Sequence, residues 1–314
     1  MTPTDATDEH KDHKALLATL SADQRRALCA QSDDPALLRM TLHLGAVLAM
    51  GVWIATSQPF WGLLLLPQGV LLVFLFTALH ELIHRTAFAN DRLNDGFAAL
   101  LGGIVLLPPR QFRYFHLAHH RFTHDPENDP ELGSPKPTTV PGYVYLISGI
   151  PDWQWRVTTL ISNAIYGTTK SYVPERGRIP VRTEARRYLT AYVALAFPSI
   201  AFGTTALIWA WLIPLLLGNP FLRAYLLAEH THCPHVSDMF VNTRTTFTSR
   251  FVRWLAWNMP YHAEHHAYPA VPFHRLPEFH AICAPHLQST GNGYGEFNAN
   301  YVRTTLSGEP TPNR

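Results

Sequence analysis

Four short stretches of this chain crowd histidines at spacings that let them act together: His80-Glu-Leu-Ile-His84, His116-Leu-Ala-His119-His120, the run holding His230, His232 and His235, and His262-Ala-Glu-His265-His266. On an α-helix, residues three and four apart share a face. His80 and His84 then point the same way, and each H-x-x-H-H group makes a triangle on one face. Neutral imidazole suits Zn, Cu, Fe and Ni. A single zinc takes four ligands in a structural site and three plus water in a catalytic one. Eight or nine imidazoles converging on one volume are therefore too many for one ion and fit a pair. Packed together without metal, such rings repel when protonated and lose solvation when neutral. Glu81, Asp129, Glu131, Glu229 and Glu264 lie in or beside the same stretches, where a carboxylate can bond a free ring nitrogen and set its tautomer. His124, His232 and His235 each read as a ligand, a proton relay or a surface residue. His10, His13, His43, His274, His280 and His286 stand alone and read as ordinary histidines, so His280→Ala is expected to be mild.

A rival reading comes from the first stretch alone. His80-Glu81-x-x-His84 matches the zinc-protease pattern, in which the glutamate is a general base and two histidines bind zinc. It leaves both H-x-x-H-H groups without a role.

The elements that must position these residues are apolar. No Lys, Arg, Asp or Glu occurs from Met40 to Leu79, 40 residues, or from Tyr188 to Leu222, 35 residues. A membrane span needs about 20 mostly apolar residues, so each block is long enough for a helical hairpin. The first hairpin is expected as Leu42–Ala55, a turn near Ser57-Gln58-Pro59, and a second helix from Trp61 past His80, kinked at Pro67. The second hairpin turns near Gly203-Thr204-Thr205. Residues 96–107 are apolar but too short to span, and Pro108-Pro109 stops them.

The expected organisation is a polar N-terminal arm over 1–38, with a short helix near 22–30, and a membrane domain over 39–285. That domain has hairpins at about 40–80 and 188–228 and a cap made of 110–187 and 230–285; a tail over 286–314 comes last. The predicted fold class is all-α and integral to the membrane, with four transmembrane helices and a cytosolic helical cap. Neither hairpin turn carries Lys or Arg, whereas the termini and cap do, so the positive-inside rule sets both termini, the cap and the histidines on the cytoplasmic side (the inner membrane, if the source is bacterial).

The averages over the chain hide this segregation: hydrophobic content is 47% and mean hydropathy −0.03. A net charge of +2 and the absence of basic stripes or nucleic-acid motifs give no nucleic-acid footprint. Three scattered cysteines make a disulfide framework unexpected. The first 38 residues lack the apolar core of a secretory signal, and the first hydrophobic block is expected to direct insertion itself. A metal transporter is a further alternative, but the histidines lie beyond the apolar blocks rather than within them. An inactive scaffold is another, which the full set of histidine groups argues against.

Taken as a set, the histidine stretches resemble the membrane fatty acid desaturase superfamily, which includes alkane hydroxylases and carotenoid ketolases. Its three boxes look like His80-x-x-x-His84, His116-x-x-His119-His120 and His262-x-x-His265-His266. His230, within Ala-Glu-His, is similar to the family's additional ligand after the last membrane helix. The run from His120 to Glu131 resembles the family's stretch just after its second box, and the run from Asn258 to Pro269, with Leu276-Pro277, resembles the surroundings of its third. The likeness covers about residues 40–285. It implies a stem of four helices, a cytosolic cap and two non-haem irons held by these nine histidines, with O2 as co-substrate and no catalytic residue beyond the ligands. An unactivated C–H bond has no proton that a side-chain base can remove, so the oxidising power must come from the metal. Lipid desaturation is expected first. Hydroxylation of a lipid, hydrocarbon or small metabolite is the alternative. No His-Pro-Gly-Gly loop of a fused cytochrome b5 is present, so electrons are expected from a separate protein of ferredoxin, rubredoxin or cytochrome b5 type. The first box has three intervening residues where many acyl-CoA desaturases have four, which leaves the substrate open.

Overall fold

The structure is a computed structural model that describes residues 11–306; His10 and the last eight residues lie outside the described residues. It is almost wholly helical. Two short helices, α1 (His13–Thr19) and α2 (Ala22–Leu28), come first. A capping box between Ser21 and Gln24 starts the second of them. They do not stand free as a solvated arm. Leu16, Leu20 and Leu28 are buried in the main core, and His13 reaches Asp238 at 3.0 Å. The polar composition of this stretch hides a regular apolar face that packs on the cap.

The stem comes next. α3 (Asp33–Ala55) begins earlier than the apolar block does, because Asp33 and Asp34 in its first turn suit the helix dipole. The turn at 56–60 leads to α4 (Leu65–His84) through a 3-10 turn, Trp61–Leu64. Pro67 does not kink a continuous helix. It falls in the first turn of α4, where a missing N–H costs nothing. Most of the apolar residues 96–107 belong to α5 (Asp91–Ile104), a short helix with one buried face that ends before Pro108. α6 (Pro109–Phe122), α7 (Val140–Ile147) and α8 (Ile150–Ile165) make the middle of the chain. α9 (Glu175–Ala201) is charged over its first half and apolar over its second, so one helix joins what the sequence reads as two regions. Gly203, at φ +63°, turns the chain, and a π-helical stretch, Ile208–Leu212, leads into α10 (Ile213–His230).

The C-terminal part is folded round the ends of α4 and α10. It comprises α11 (Met239–Asn242), α12 (Arg250–Leu255), α13 (His262–Ala267), α14 (Leu276–Cys283) and α15 (Tyr294–Tyr301). A two-residue parallel pairing joins Thr245–Thr246 to Thr290–Gly291. α15 packs on α10: Asn298 Nδ2 donates to the Ala224 carbonyl at 3.0 Å, and the rings of Tyr294 and Tyr225 lie 4.6 Å apart.

Among the described residues, three stretches are long and apolar enough to cross a membrane: Ala22–Ala55, Trp61–His84 and Ile208–His230. The apolar half of α9 is 14 residues, too short to qualify alone. α4 and α10 set the level of the histidines they carry. A Cβ built on Gly69 would lie 2.2 Å from the Pro214 carbonyl oxygen, and one on Gly218 2.2 Å from that of Gly69. The two helices therefore touch backbone to backbone, as small residues allow between membrane helices. Phe74 against Tyr225, at 5.4 Å between ring centroids, shows that they run in the same direction. Gln68, buried beside this crossing, ties three elements by donating to the carbonyls of Val47 (3.1 Å) and Ala210 (3.2 Å). His80 and His230 lie eleven and twelve residues beyond the glycine contact. At 1.5 Å per residue that is about 17 Å along both helices, so the two histidine-bearing ends arrive at the same level.

Candidate metal centre

Nine of the eleven histidines of the four stretches meet in one volume. α4 contributes His80 and His84 from its last turn, α6 His116, His119 and His120, α10 its last residue His230, and α13 His262, His265 and His266. Ring centroids lie 4.2 Å apart for His80–His116, 4.7 Å for His84–His265, 4.0 Å for His120–His266 and 4.9 Å for His230–His262. α13, which carries three of the rings, is buried along its whole length.

Within the cage the ligand atoms sort into two groups. One nitrogen from each of His80, His84, His116, His120 and His265 lies within 4.8 Å of the others. The same holds for His119, His230 and His266. His262 joins this second group through its Nε2, 3.1 Å from His230 Nε2. The two groups differ in their surroundings. In the second, three Nδ1 atoms are engaged from outside: His119 donates to Asp129 Oδ1 at 2.9 Å, His266 meets the Thr123 hydroxyl at 3.3 Å, and His230 faces the Thr243 hydroxyl at 3.4 Å, while His262 Nδ1 lies 3.6 Å from Glu229 without a hydrogen bond. Their Nε2 atoms are thus turned inward. In the first group several buried nitrogens have no hydrogen-bond partner, including both of His80, both of His265 and Nε2 of His84.

This donor set fits a pair of metal ions. A buried polar nitrogen left unpaired costs about 1–3 kcal/mol, and the cage concentrates many of them in one place. Burial, reinforced by neighbouring rings, pushes His116, His120, His262, His265 and His266 well below the usual histidine range, so they hold their lone pairs at neutral pH. His119 is the exception. Burial opposes its protonation, but Glu131 and Asp129 outweigh burial and raise it.

The remaining residues singled out in the sequence fall elsewhere. Glu81 faces away from the rings, and its carboxylate accepts the Phe273 N–H at 2.9 Å. It is not placed as a general base at a metal, which removes the structural support for a zinc protease. Glu264 also turns outward. It accepts the Thr245 hydroxyl at 2.5 Å and pairs with His280 of α14. His124 lies 4.4 Å from His235 and 5.6 Å from His230, at the rim; burial and His235 lower it to about 4. His232 stacks on Tyr301, away from the cage. Three contacts had no signal in the sequence. Thr123 stands one turn after His119, Thr243 closes on His230, and His280 looked isolated because its partner is brought to it only by the fold.

A cavity of about 930 Å³ opens beside the cage. His80, His116, His119 and His262 form part of its wall. Phe76, Leu107, Phe112, Phe115 and Leu226 line it with apolar surface. Lys136, Lys170, Arg223 and Asp152 give it a polar side. Pockets of this size and mixed lining are typical of small-molecule sites.

The family model for fatty acid desaturases matches residues 55–298, more than three quarters of the chain. A sphingolipid delta(4)-desaturase of Drosophila melanogaster is 27% identical, over 68% of this chain and 63% of its own length. A sphingolipid delta(4)-desaturase/C4-monooxygenase of Rattus norvegicus is 27% identical over 64% and 58%, and a sphingolipid delta(4)-desaturase of Komagataella phaffii 24% identical over 66% and 57%. The chain spans about six tenths of the length of these relatives.

Proposed function

The chain belongs to the fatty acid desaturase family, and from that premise we propose that it is a membrane oxidoreductase that uses two non-haem irons and O2 to desaturate a lipid acyl chain. One observation carries this reading: nine buried or half-buried imidazoles from four separate stretches meet in two groups beside a partly apolar cavity. The proposed ligands are His80, His84, His116, His120 and His265 at one ion and His119, His230, His262 and His266 at the other. Bound there, an iron pair supplies the O2-derived oxidising power that no side chain has.

The chain's own residues do the rest. Burial keeps His116, His120, His262, His265 and His266 neutral and ready to bind. Asp129 holds the N–H of His119 on Nδ1 and so turns Nε2 inward, as carboxylates behind metal-bound histidines do. The phenylalanine-rich lining seats a hydrocarbon chain against the ligands and keeps water out. Whether two hydrogens leave or one hydroxyl enters depends on placing a carbon to within about an ångström. Hydroxylation is the second reading, supported by relatives whose names pair desaturase with C4-monooxygenase.

In this proposal the apolar half of α9, residues 188–201, joins α3, α4 and α10 as a fourth membrane crossing. Val193, Phe197 and Ile200 on it are largely exposed, as side chains facing lipid would be. The turns at 56–60 and 202–207 carry no Lys or Arg, which favours a cytoplasmic cage, cap and termini. Residues 39–285 are the proposed catalytic unit, and a separate electron-transfer protein of ferredoxin, rubredoxin or cytochrome b5 type the proposed donor. The test is mass spectrometry of membrane lipids after expressing the full chain with and without an intact cage, comparing wild type with His120→Ala. Lipids two hydrogens lighter, or one oxygen heavier, only with wild type support the reading. Identical lipid profiles from wild-type protein shown to be metal-loaded and reduced would overturn it.

A further inference from the structure

Glu131 stands between the second histidine group and the cavity, and its environment is not that of a surface carboxylate. It lies in a single 3-10 turn, Pro130–Gly133. Asp129 builds that turn: its Oδ1 accepts the Glu131 N–H at 2.9 Å, and its Oδ2 accepts the His124 N–H at 2.9 Å. The same Asp129 Oδ1 also takes the Nδ1 hydrogen of His119 at 2.9 Å. A carboxylate only accepts, so the hydrogen of a neutral His119 is on Nδ1 and its lone pair is on Nε2. That lone pair faces Glu131 Oε2 at 3.3 Å and His230 Nε2 at 3.1 Å. On His230, Nδ1 faces the Asn242 carbonyl, which also only accepts, so its Nε2 is a lone pair as well. His262 Nε2 then lies 3.1 Å from it.

Three electron-rich atoms, Glu131 Oε2, His119 Nε2 and His230 Nε2, thus converge with their hydrogens on the far side. One shared proton relieves at most one of these contacts; a divalent cation relieves all of them. Charge argues the same way. Two divalent ions held only by neutral imidazoles would leave a large uncompensated charge in a buried site, and a carboxylate offsets part of it. The other oxygen of Glu131 is occupied by Lys136 Nζ at 3.5 Å, which leaves Oε2 turned to the cage.

The geometry points to Glu131 as a carboxylate ligand of the second metal ion, which makes the two ions unlike: one bound by imidazoles alone, the other by imidazoles and one carboxylate. This rests on the reading that the cage holds a metal pair. Carboxylates share di-iron sites with histidine in other helical proteins.

The test uses full-length protein in detergent, loaded anaerobically with Fe(II), and reads iron per chain and iron X-ray absorption. E131Q, which keeps shape and folding, should weaken one of the two irons about 10- to 100-fold and lose an oxygen neighbour. E131A should retain about one iron per chain. K136A, which touches the same carboxylate but offers no ligand, should keep both irons. If E131Q and E131A hold both with wild-type affinity and an unchanged absorption spectrum, Glu131 is only an ion-pair partner and the inference is wrong. Wild-type protein that never binds a pair would instead sink the metal-cage reading beneath it.

Discussion

Glu264 sits between His262 and His265 in sequence, yet its carboxylate points away from the cage and pairs with His280 of α14. Glu264 is fully buried, and Thr245 donates to its other oxygen. The third histidine stretch is therefore anchored from behind, to α14 and to the short strand pair. Removing His280 strands a buried carboxylate, which costs about 3 kcal/mol when a buried pair is broken from one side. His280→Ala should lower the thermal midpoint clearly and loosen metal binding at His265 and His266. A midpoint unchanged from wild type would show that the pair carries no weight.

Asp129 should act on the second metal ion through His119 and through the turn that carries Glu131. Asp129→Asn keeps the shape but can present an N–H where His119 needs an acceptor. The expected result is metal affinity weaker by about 10- to 100-fold at one of the two ions. Metal titration of wild type and variant checks this, and equal affinities would contradict it.

The glycine crossing gives a prediction about the stem. Gly218→Val places a side chain against the Gly69 carbonyl, with backbone on both sides and no flexible neighbour to move. It should prevent folding or yield protein without metal. Gly45→Ala on α3 is the control, since nothing lies within 4 Å of its added carbon. Monodisperse, metal-loaded Gly218→Val protein would show that the two helices can separate without harm to the cage.

Acid should empty the site. Apart from His119, the cage histidines outside the stem are lowered by burial, so at these rings the unfolded chain binds more protons than the folded one below about pH 6.5. Their contribution is complete above that value and is lost as pH falls toward their folded values. Protons also compete directly with metal. Metal content and thermal midpoint should both be flat from about pH 8 to about pH 7 and decline together below about pH 6.5. Metal held unchanged at about pH 4 would contradict neutral-imidazole ligation.

Much of this is readable from the residues. Helical spacing within the H-x-x-H-H groups and two uncharged blocks point to a helical stem with clustered imidazoles, and the structure gathers the same nine histidines. The sequence could not separate Asp129 from Glu81 or Glu264, because all three are carboxylates near histidines and only the fold decides which way each faces. Asp129 turns in because it closes its own turn, whereas Glu81 and Glu264 share helices with ligands but lie on the opposite faces. The N-terminal helices are hidden for a similar reason. Leu16, Leu20 and Leu28 are sparse among charges, and their burial depends on a surface that residues far along the chain provide.

The account stands on a pair of irons, and metal analysis of purified, detergent-solubilised protein tests it most directly. Wild type should carry two irons per chain, and His84→Ala, His120→Ala and His266→Ala, which break one group or the other, should each lose metal and O2-dependent turnover together. One zinc per chain, or full turnover in all three variants, would contradict it.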